Sequence, residues 1–346
     1  MIATTPCTDW SRRIAVKVLC SVVLASLLPS EKILAAKRPD ARSKRFYARG
    51  ARVPATLANR VRERAVAAAA VNEELKLNVD VFSALSAVNA NVFEANPSIP
   101  KQLDWNALKR VTPAKDQGQC GSCWAFAGMG AFESAYLISN NKDAISGGYP
   151  SVDVSEQEML DCVFVENDCV NGGWHEVVFL YLLLEGATDG STYRYHGAKG
   201  YCTSNVPRSY YAANWGYAVD SAQAPSLLPS DKALKEAVLR YGPIAASVCA
   251  DGFDSYAKYD DNGNLNPRWG TDYPGGIFRG TDNARLSQHN VDHEVLIYGW
   301  DDSQGIWLVK NSWGPSWGDQ GCMKLAYQTS YIGFGASWIL VLKTPV

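Results

Sequence analysis

The chain lacks the features that would tie it to nucleic acid, metal or membrane. Its 346 residues carry 33 Lys and Arg against 35 Asp and Glu, a net charge of −2, so no basic excess points to a nucleic-acid partner. No apolar run is long enough to span a bilayer, so no stable membrane anchor is expected. There are only four histidines, and no second close Cys/His pair accompanies Cys120 and Cys123 to complete four zinc ligands. Asp260, Asn262 and Asn264 alternate as in a calcium loop, but Leu265 stands where that loop needs glycine and no glutamate closes it. No Asn-x-Ser/Thr acceptor exists, because the proline of Asn96-Pro97-Ser98 blocks the one candidate. There is no internal repeat. No metal and no cofactor is therefore expected. What the chain does have is core material: 47% of its residues are apolar, ample for two domains.

The N-terminus has the pattern of a secretory signal. Arg12, Arg13 and Lys17 precede the apolar run Val18–Leu28, and small residues, Ala35 and Ala36, follow. A signal over 1–36 implies a secreted protein, extracellular or periplasmic, with lysosome or vacuole open to the same route. Cysteine usage agrees. Beyond Cys7 and Cys20 seven remain, an odd number that suits up to three disulfides and one reactive thiol.

Charge is unevenly placed. Residues 37–98 hold 11 Lys/Arg against 6 Asp/Glu, and residues 99–346 hold 18 against 27. A basic segment ahead of an acidic body is either a detachable piece that docks on it or a disordered tail. Residues 37–60 look unstructured, and the Ala-rich stretch 61–90 should be helical. Asn96-Pro97-Ser98-Ile99-Pro100 breaks the chain. Beyond Trp105, helical patterns cover about 123–138, 155–162, 174–185 and 231–241, with Ser155 and Glu158 able to form a capping box. Ile244–Val248, Glu294–Trp300, Ile306–Lys310 and Cys322–Tyr327 read as strands. The expected class is α+β, with a helical domain over 99–215 and a β-barrel-like domain over 216–346.

Gln117-Gly118-Gln119-Cys120-Gly121-Ser122-Cys123-Trp124 carries the chemistry. Cys123 stands where a loop gives way to a helix, facing free backbone N–H groups and the positive end of the helix dipole. Both favour thiolate, the nucleophilic form. Gln117 adds a side-chain donor. A thiol nucleophile also needs a base with a pKa near neutrality. His175 lies in a helical pattern, and His196 and His289 lie in polar loops. His293 sits where a loop enters an apolar strand, the place for a cleft residue. Asn311 ends the next strand, so it can meet His293 and orient it. The indole of Trp313 can shield that contact from water.

Cys120-Gly121-Ser122-Cys123-Trp124 is the signature around the nucleophile of the papain/cathepsin family. From about Ile99 to near its C-terminus the chain resembles a papain-like cysteine protease. Leu103-Asp104-Trp105, Val111-Thr112-Pro113, Ser155-Glu156-Gln157-Glu158, Asn171-Gly172-Gly173-Trp174, Gly275-Gly276-Ile277-Phe278, Val291-Asp292-His293 and Asn311-Ser312-Trp313-Gly314 follow in the family's order. The resemblance implies a two-domain fold with the cleft between the domains. It implies Cys123 as nucleophile, His293 as its acid/base partner in a thiolate–imidazolium pair, and Asn311 as orienter. Gln117 and the backbone N–H of Cys123 would form the oxyanion hole. Gly172 and Gly173 resemble the edge that pairs with an extended substrate. Trp174, His175 and Glu294 match positions around the pocket for the second residue before the scissile bond, and Trp313 borders the same cleft. A carboxylate at 294 either favours a basic substrate side chain or points away.

The resemblance also implies disulfides Cys120–Cys169 and Cys162–Cys202. It leaves Cys249 and Cys322 either to pair by elimination or to stay as buried thiols in facing strands. It implies a secreted zymogen with propeptide 37–98 as its own inhibitor, polypeptide substrates and a monomer. Two departures stand out. Cys123 and His293 are 170 residues apart, more than the usual roughly 130–150, and part of the excess falls in an insertion over 257–274. The segment 37–98 shows no helical propeptide motif of the cathepsin L branch. No double-histidine insertion resembling the occluding loop of cathepsin B is present, so endopeptidase activity is expected. A thioredoxin-like reading of Cys120-x-x-Cys123 has no βαβ pattern ahead of it and no use for His293 or Asn311. A non-catalytic member of the fold would show loss of Cys123, His293 or Asn311, and all three are present.

Overall fold

A helix apolar on every side has to be buried on every side. The stretch Cys123–Ser139 is such a helix, and almost all its residues are buried. In the computed structural model, which describes residues 49–63, 99–163, 167–221, 226–250 and 276–343, it forms the centre of the molecule. Gly128 allows the close approach this needs, since a β-carbon there would lie 2.9 Å from Val178 Cβ. The signal over 1–36, most of the Ala-rich stretch and the 257–274 insertion lie outside the described residues.

In chain order the helices are α1 over residues 57–63, α2 Cys123–Ser139, α3 Glu156–Cys162, α4 Glu176–Leu184 and α5 Asp231–Tyr241. Sequence chemistry sets their ends. Ser155 accepts the Glu158 N–H at the start of α3, and Ser230 accepts the Ala233 N–H at the start of α5. Gly242 and Pro243 stop α5.

The strands are β1 Gln102–Asp104, β2 Ile145–Ser146, β3 Tyr149–Pro150, β4 Asn214–Tyr217, β5 Ile244–Val248, β6 Ile277–Phe278, β7 His293–Asp301, β8 Ile306–Lys310, β9 Cys322–Ala326 and β10 Phe334–Leu340. β2 and β3 form a separate hairpin. The others form one sheet in the order β4-β10-β5-β7-β8-β9-β6, with β1 added to β7. The architecture is α+β, with α2 packed on β5 and β7.

Four of these strands have no clear pattern of their own. β1 and β6 are short and take their register from β7 and β9. Gly335 and Ser337 interrupt the apolar run of β10. β4 spans the junction at 215/216 and pairs with β10. The segment expected to be helical, 99–215, thus supplies β1 and the start of β4 to the sheet. Residues 49–60 also depart from the expected unstructured state, while 61–63 are helical as expected. Ala51 bridges to Gly173, residues 57–63 are helical, and Leu57 and Val61 are buried in the core. Docking on the body, rather than local propensity, orders them.

Disulfides join Cys120 to Cys169 and Cys162 to Cys202, while Cys123, Cys249 and Cys322 are outside disulfides. Cys249 follows β5 and Cys322 opens β9, with β7 and β8 between them in the same sheet. At about 4.8 Å per strand they stand some 14 Å apart, too far to bridge. Alkylation of the denatured, unreduced protein lacking residues 1–36 should therefore label three thiols. Labelling of Cys123 alone would mean that Cys249 and Cys322 pair.

Candidate active site

Strand pairing brings His293 and Asn311 together. β7 and β8 form an antiparallel hairpin in which Leu296 faces Lys310. Asn311 therefore leaves β8 level with the first residues of β7. His293 Nε2 lies 2.7 Å from Asn311 Oδ1. That oxygen also accepts the Ser312 N–H at 2.8 Å, so the imidazole must donate from Nε2. Nδ1 is left for the cleft. Trp313 stacks on the ring at 4.7 Å between centroids, and both His293 and Asn311 are buried. The indole covers the hydrogen bond, which is stronger for the loss of water.

Cys123 opens α2, with Ser122 as N-cap. The loop before it is clamped to the loop after Asn311. Gln117 N–H donates to Ser312 O at 2.8 Å, and Gly314 N–H donates to Lys115 O at 3.1 Å. Ser312 Oγ donates to Gln117 Oε1 at 2.6 Å, and Gln117 Nε2 donates to Cys120 O at 2.8 Å. One Nε2 hydrogen remains. Tyr195 hydroxyl donates to Gln117 O and shares a hydrogen bond with Ser122 Oγ. No local signal marks the roles of Ser312 and Tyr195, because their work is done across contacts 73 to 195 residues long.

The cleft is covered by the chain itself. Ala51 N–H donates to Asp292 O, Arg52 N–H to Gly173 O, and Gly173 N–H to Gly50 O. The bridge between Ala51 and Gly173 is parallel. Residues 50–52 thus span from the Gly173 edge to the strand mouth at Asp292. Gly173 lies flat against Trp124, where a β-carbon would come within 2.7 Å of the indole. Arg49 lies 3.7 Å from Asp292, and Arg60 lies 3.4 Å from Glu176.

Covering changes the charges. Burial pushes the Cys123 thiol well up, and the Glu294 carboxylate adds to this. The backbone N–H groups of Glu294 and Gly50 pull the other way. Burial pushes His293 down to about 3, against its bond to Asn311. Removing water disfavours both ions, so covering the site works against the thiolate and against the imidazolium.

His175 is the N-cap of α4, with Trp174 stacked on it at 5.2 Å. Its Nδ1 lies 2.8 Å from Glu294 Oε2, and its Nε2 lies 2.8 Å from Ser337 Oγ. One oxygen of the Glu294 carboxylate is thus engaged by His175. His196 lies in a loop and His289 in a 3-10 turn. No group of His, Cys, Asp and Glu able to hold a metal occurs among the described residues.

Behind Asn311 lies a buried ionic cluster around a cavity of about 10 Å³, the space of one water. Lys115 Nζ meets Glu133 at 3.0 Å, Asp153 at 2.6 Å and Glu156 at 2.8 Å. Lys310 Nζ donates to Thr112 O and Oγ1, both at 3.1 Å.

A thiol at a helix start, an imidazole tied to a carboxamide and a side-chain amide in the loop before the thiol are the groups that thiol-dependent acyl transfer uses. Residues 99–339 match the papain family of cysteine proteases. The viral cathepsin of Heliothis zea nuclear polyhedrosis virus is 32% identical over 249 residues, 70% of this chain and 58% of the viral protein. Mouse procathepsin L is 33% identical over 66% of this chain and 60% of its own length. The solved structure of the ragweed pollen allergen Amb a 11, a cysteine protease in its proform, superposes with a TM-score of 0.55. It is 25% identical over 73% of this chain and 70% of the allergen. The chain belongs to the papain family. It spans about 60% of the length of the curated relatives it matches.

The ionic cluster carries a pH signature. Burial and the neighbouring Glu133 raise Glu156 from 4.5 to about 7, against the pull of Lys115. The native state then keeps a proton that the unfolded chain releases near 4.5, so this stabilising contribution is full below that value and is lost as pH rises to about 7. Glu156→Gln should flatten the fall of thermal stability over that range. An unchanged slope between parent and variant would remove Glu156 as its source.

Proposed function

We propose that this chain is the precursor of a secreted cysteine endopeptidase, with a signal over 1–36, a propeptide over 37–98, and the catalytic body divided at 215/216. The observation that carries the reading is the His293–Asn311 hydrogen bond under Trp313, in a cleft that also holds Cys123 and Gln117. In the reaction, His293 Nδ1 takes the proton of Cys123, and Sγ attacks the substrate carbonyl carbon. The resulting oxyanion is held by the Cys123 N–H and the remaining Gln117 Nε2 hydrogen. The C–N bond breaks as His293 returns the proton to the leaving amine. Water, deprotonated by His293, then attacks the thioester, and the sulfur departs. Each step uses groups of the chain and water, with no metal or cofactor. The substrates are polypeptides, the working unit is a monomer, and extended substrate pairs with Gly173.

Residues 49–52 act as the internal inhibitor. They occupy the N–H and C=O of Gly173 and lie against Cys123. The thiolate–imidazolium pair belongs to the open cleft, where water returns. The secretory route, extracellular, periplasmic or lysosomal, follows from the signal pattern and two disulfides.

A thiol-alkylating epoxide tests this. The full chain should take up little reagent. After limited proteolysis ahead of Ile99 it should take up one equivalent at Cys123, with loss of peptidase activity in proportion. Equal activity before and after proteolysis would remove the inhibitory role, and no activity in either form would leave a non-catalytic member of the fold. Gln117→Ala should lower kcat about 100-fold with the fold intact, and an unchanged kcat would remove Gln117 from the oxyanion hole.

A further inference from the structure

Hydrogen-bond accounting at Ser337, His175 and Glu294 leads to a charge. Ser337 has one hydroxyl hydrogen and donates it to Gly335 O at 3.0 Å. The contact of 2.8 Å between Ser337 Oγ and His175 Nε2 then needs a proton on Nε2. On the other side of the ring, Nδ1 lies 2.8 Å from Glu294 Oε2, which also accepts the His175 backbone N–H at 3.2 Å. A carboxylate accepts only, so Nδ1 carries a proton as well. His175, Glu294 and Ser337 are all fully buried, and Glu294 Oε1 has no hydrogen-bond partner. A buried carboxylate without a counter-charge is costly.

The other charged groups nearby have partners of their own, though Lys310, which lines the same cavity as Glu294, has only the neutral Thr112. Asp292 faces Arg49. Glu176, the next residue after His175, faces Arg60 and the Tyr217 hydroxyl. On the α2 side, Glu133 is held by Lys115, and Lys310 is bound to Thr112. None of these cations is paired with Glu294 among the described contacts. The start of α4 favours the carboxylate and not the imidazolium, and Glu176 in its first turn offsets the second effect.

We propose that His175 is a positioning residue of the reaction: held as an imidazolium between Glu294 and Ser337, it cancels the carboxylate one residue past His293 and so lets Cys123 carry negative charge. The proposal rests on the reading of Cys123 as nucleophile and adds what that reading lacks, a reason why a buried glutamate beside the thiol does not suppress it. The cation that matters to Cys123 is then twofold, His293 directly and His175 through Glu294.

The test is the pH profile of Cys123 alkylation by iodoacetamide, read by peptide mass on the full chain after limited proteolysis ahead of Ile99. His175→Asn keeps an N–H donor for Glu294 but cannot be charged. It should move the half-point upward by about one unit, a tenfold lower rate on the acid side. Glu294→Gln should not move it upward, and the double variant should follow Glu294→Gln. A His175→Asn profile that superimposes on the parent, or a double variant that stays with His175→Asn, overturns the proposal. No alkylation of the parent would instead sink the nucleophile reading itself. Should His175→Asn fail to fold, nitrogen NMR of the uncleaved full chain decides. Both ring nitrogens of His175 should be protonated at pH 7, and an unprotonated ring nitrogen there overturns the proposal.

Discussion

A hydrogen bond of 2.7 Å between His293 and Asn311 lies where water does not reach, and the register of β7 against β8 sets it. His293 begins one strand and Asn311 follows the other, so the hairpin delivers both to the same end of the sheet. A one-residue slip would send His293 to the opposite face. The slip is resisted because every residue of both strands except Asp301 is buried. Trp313 can stack on the imidazole only while Asn311 holds the ring in place. Ser312, between them, then reaches Gln117. The loop that carries Cys123 therefore inherits its position from the same hairpin, through two backbone bonds and one side-chain bond.

The covered cleft follows from the same burial. Ala51 and Arg52 close the polar groups of the Gly173 edge and of Asp292 with their own backbone, which a buried edge requires. The charge imbalance of the sequence ends in named pairs. Arg49 and Arg60 come from the basic segment, and Asp292 and Glu176 belong to the acidic body. Both pairs are long, at 3.7 and 3.4 Å, and lie partly or largely out of water, where desolvation offsets the attraction. The apolar contacts of Leu57 and Val61 therefore hold the segment, and the arginines set its register. On the proposed reading covering and silencing are one event, because the layer that would block substrate also removes the water that would solvate a thiolate and an imidazolium.

Much of this was legible in the residues. α2 and α5 show strong patterns, and β5 and β8 run as predicted because continuous branched and aromatic runs admit little else. The motifs around Cys123, His293 and Asn311 were visible, since each is local. What was hidden is non-local. β1 and β4 are strands only because β7 and β10 supply partners. β10 was masked by Gly335 and Ser337, residues that weaken a strand pattern and here allow a polar contact inside the core. Residues 49–52 have no pattern at all. Ser337 and His175 are 162 residues apart, and nothing in either neighbourhood announces the other.

Glu294 is the residue that local reasoning handles worst. Taken alone, a glutamate next to His293 is an invitation to a cationic substrate side chain or a residue turned to solvent. Its place on β7 forbids the second, because Ser247 faces it on β5 and both are fully buried. The geometry answers the first with a cation from within the chain. A guanidinium or ammonium would serve as counter-charge but brings a long stem and donors that need further acceptors. An imidazolium is short, rigid and satisfied by two partners, and one is Glu294 itself. Ser337 supplies the other acceptor from β10. Change at any one of the three leaves a buried charge or a buried donor without a partner. The three residues therefore form a single unit, and the electrostatics at Cys123 depend on the unit, not on Glu294.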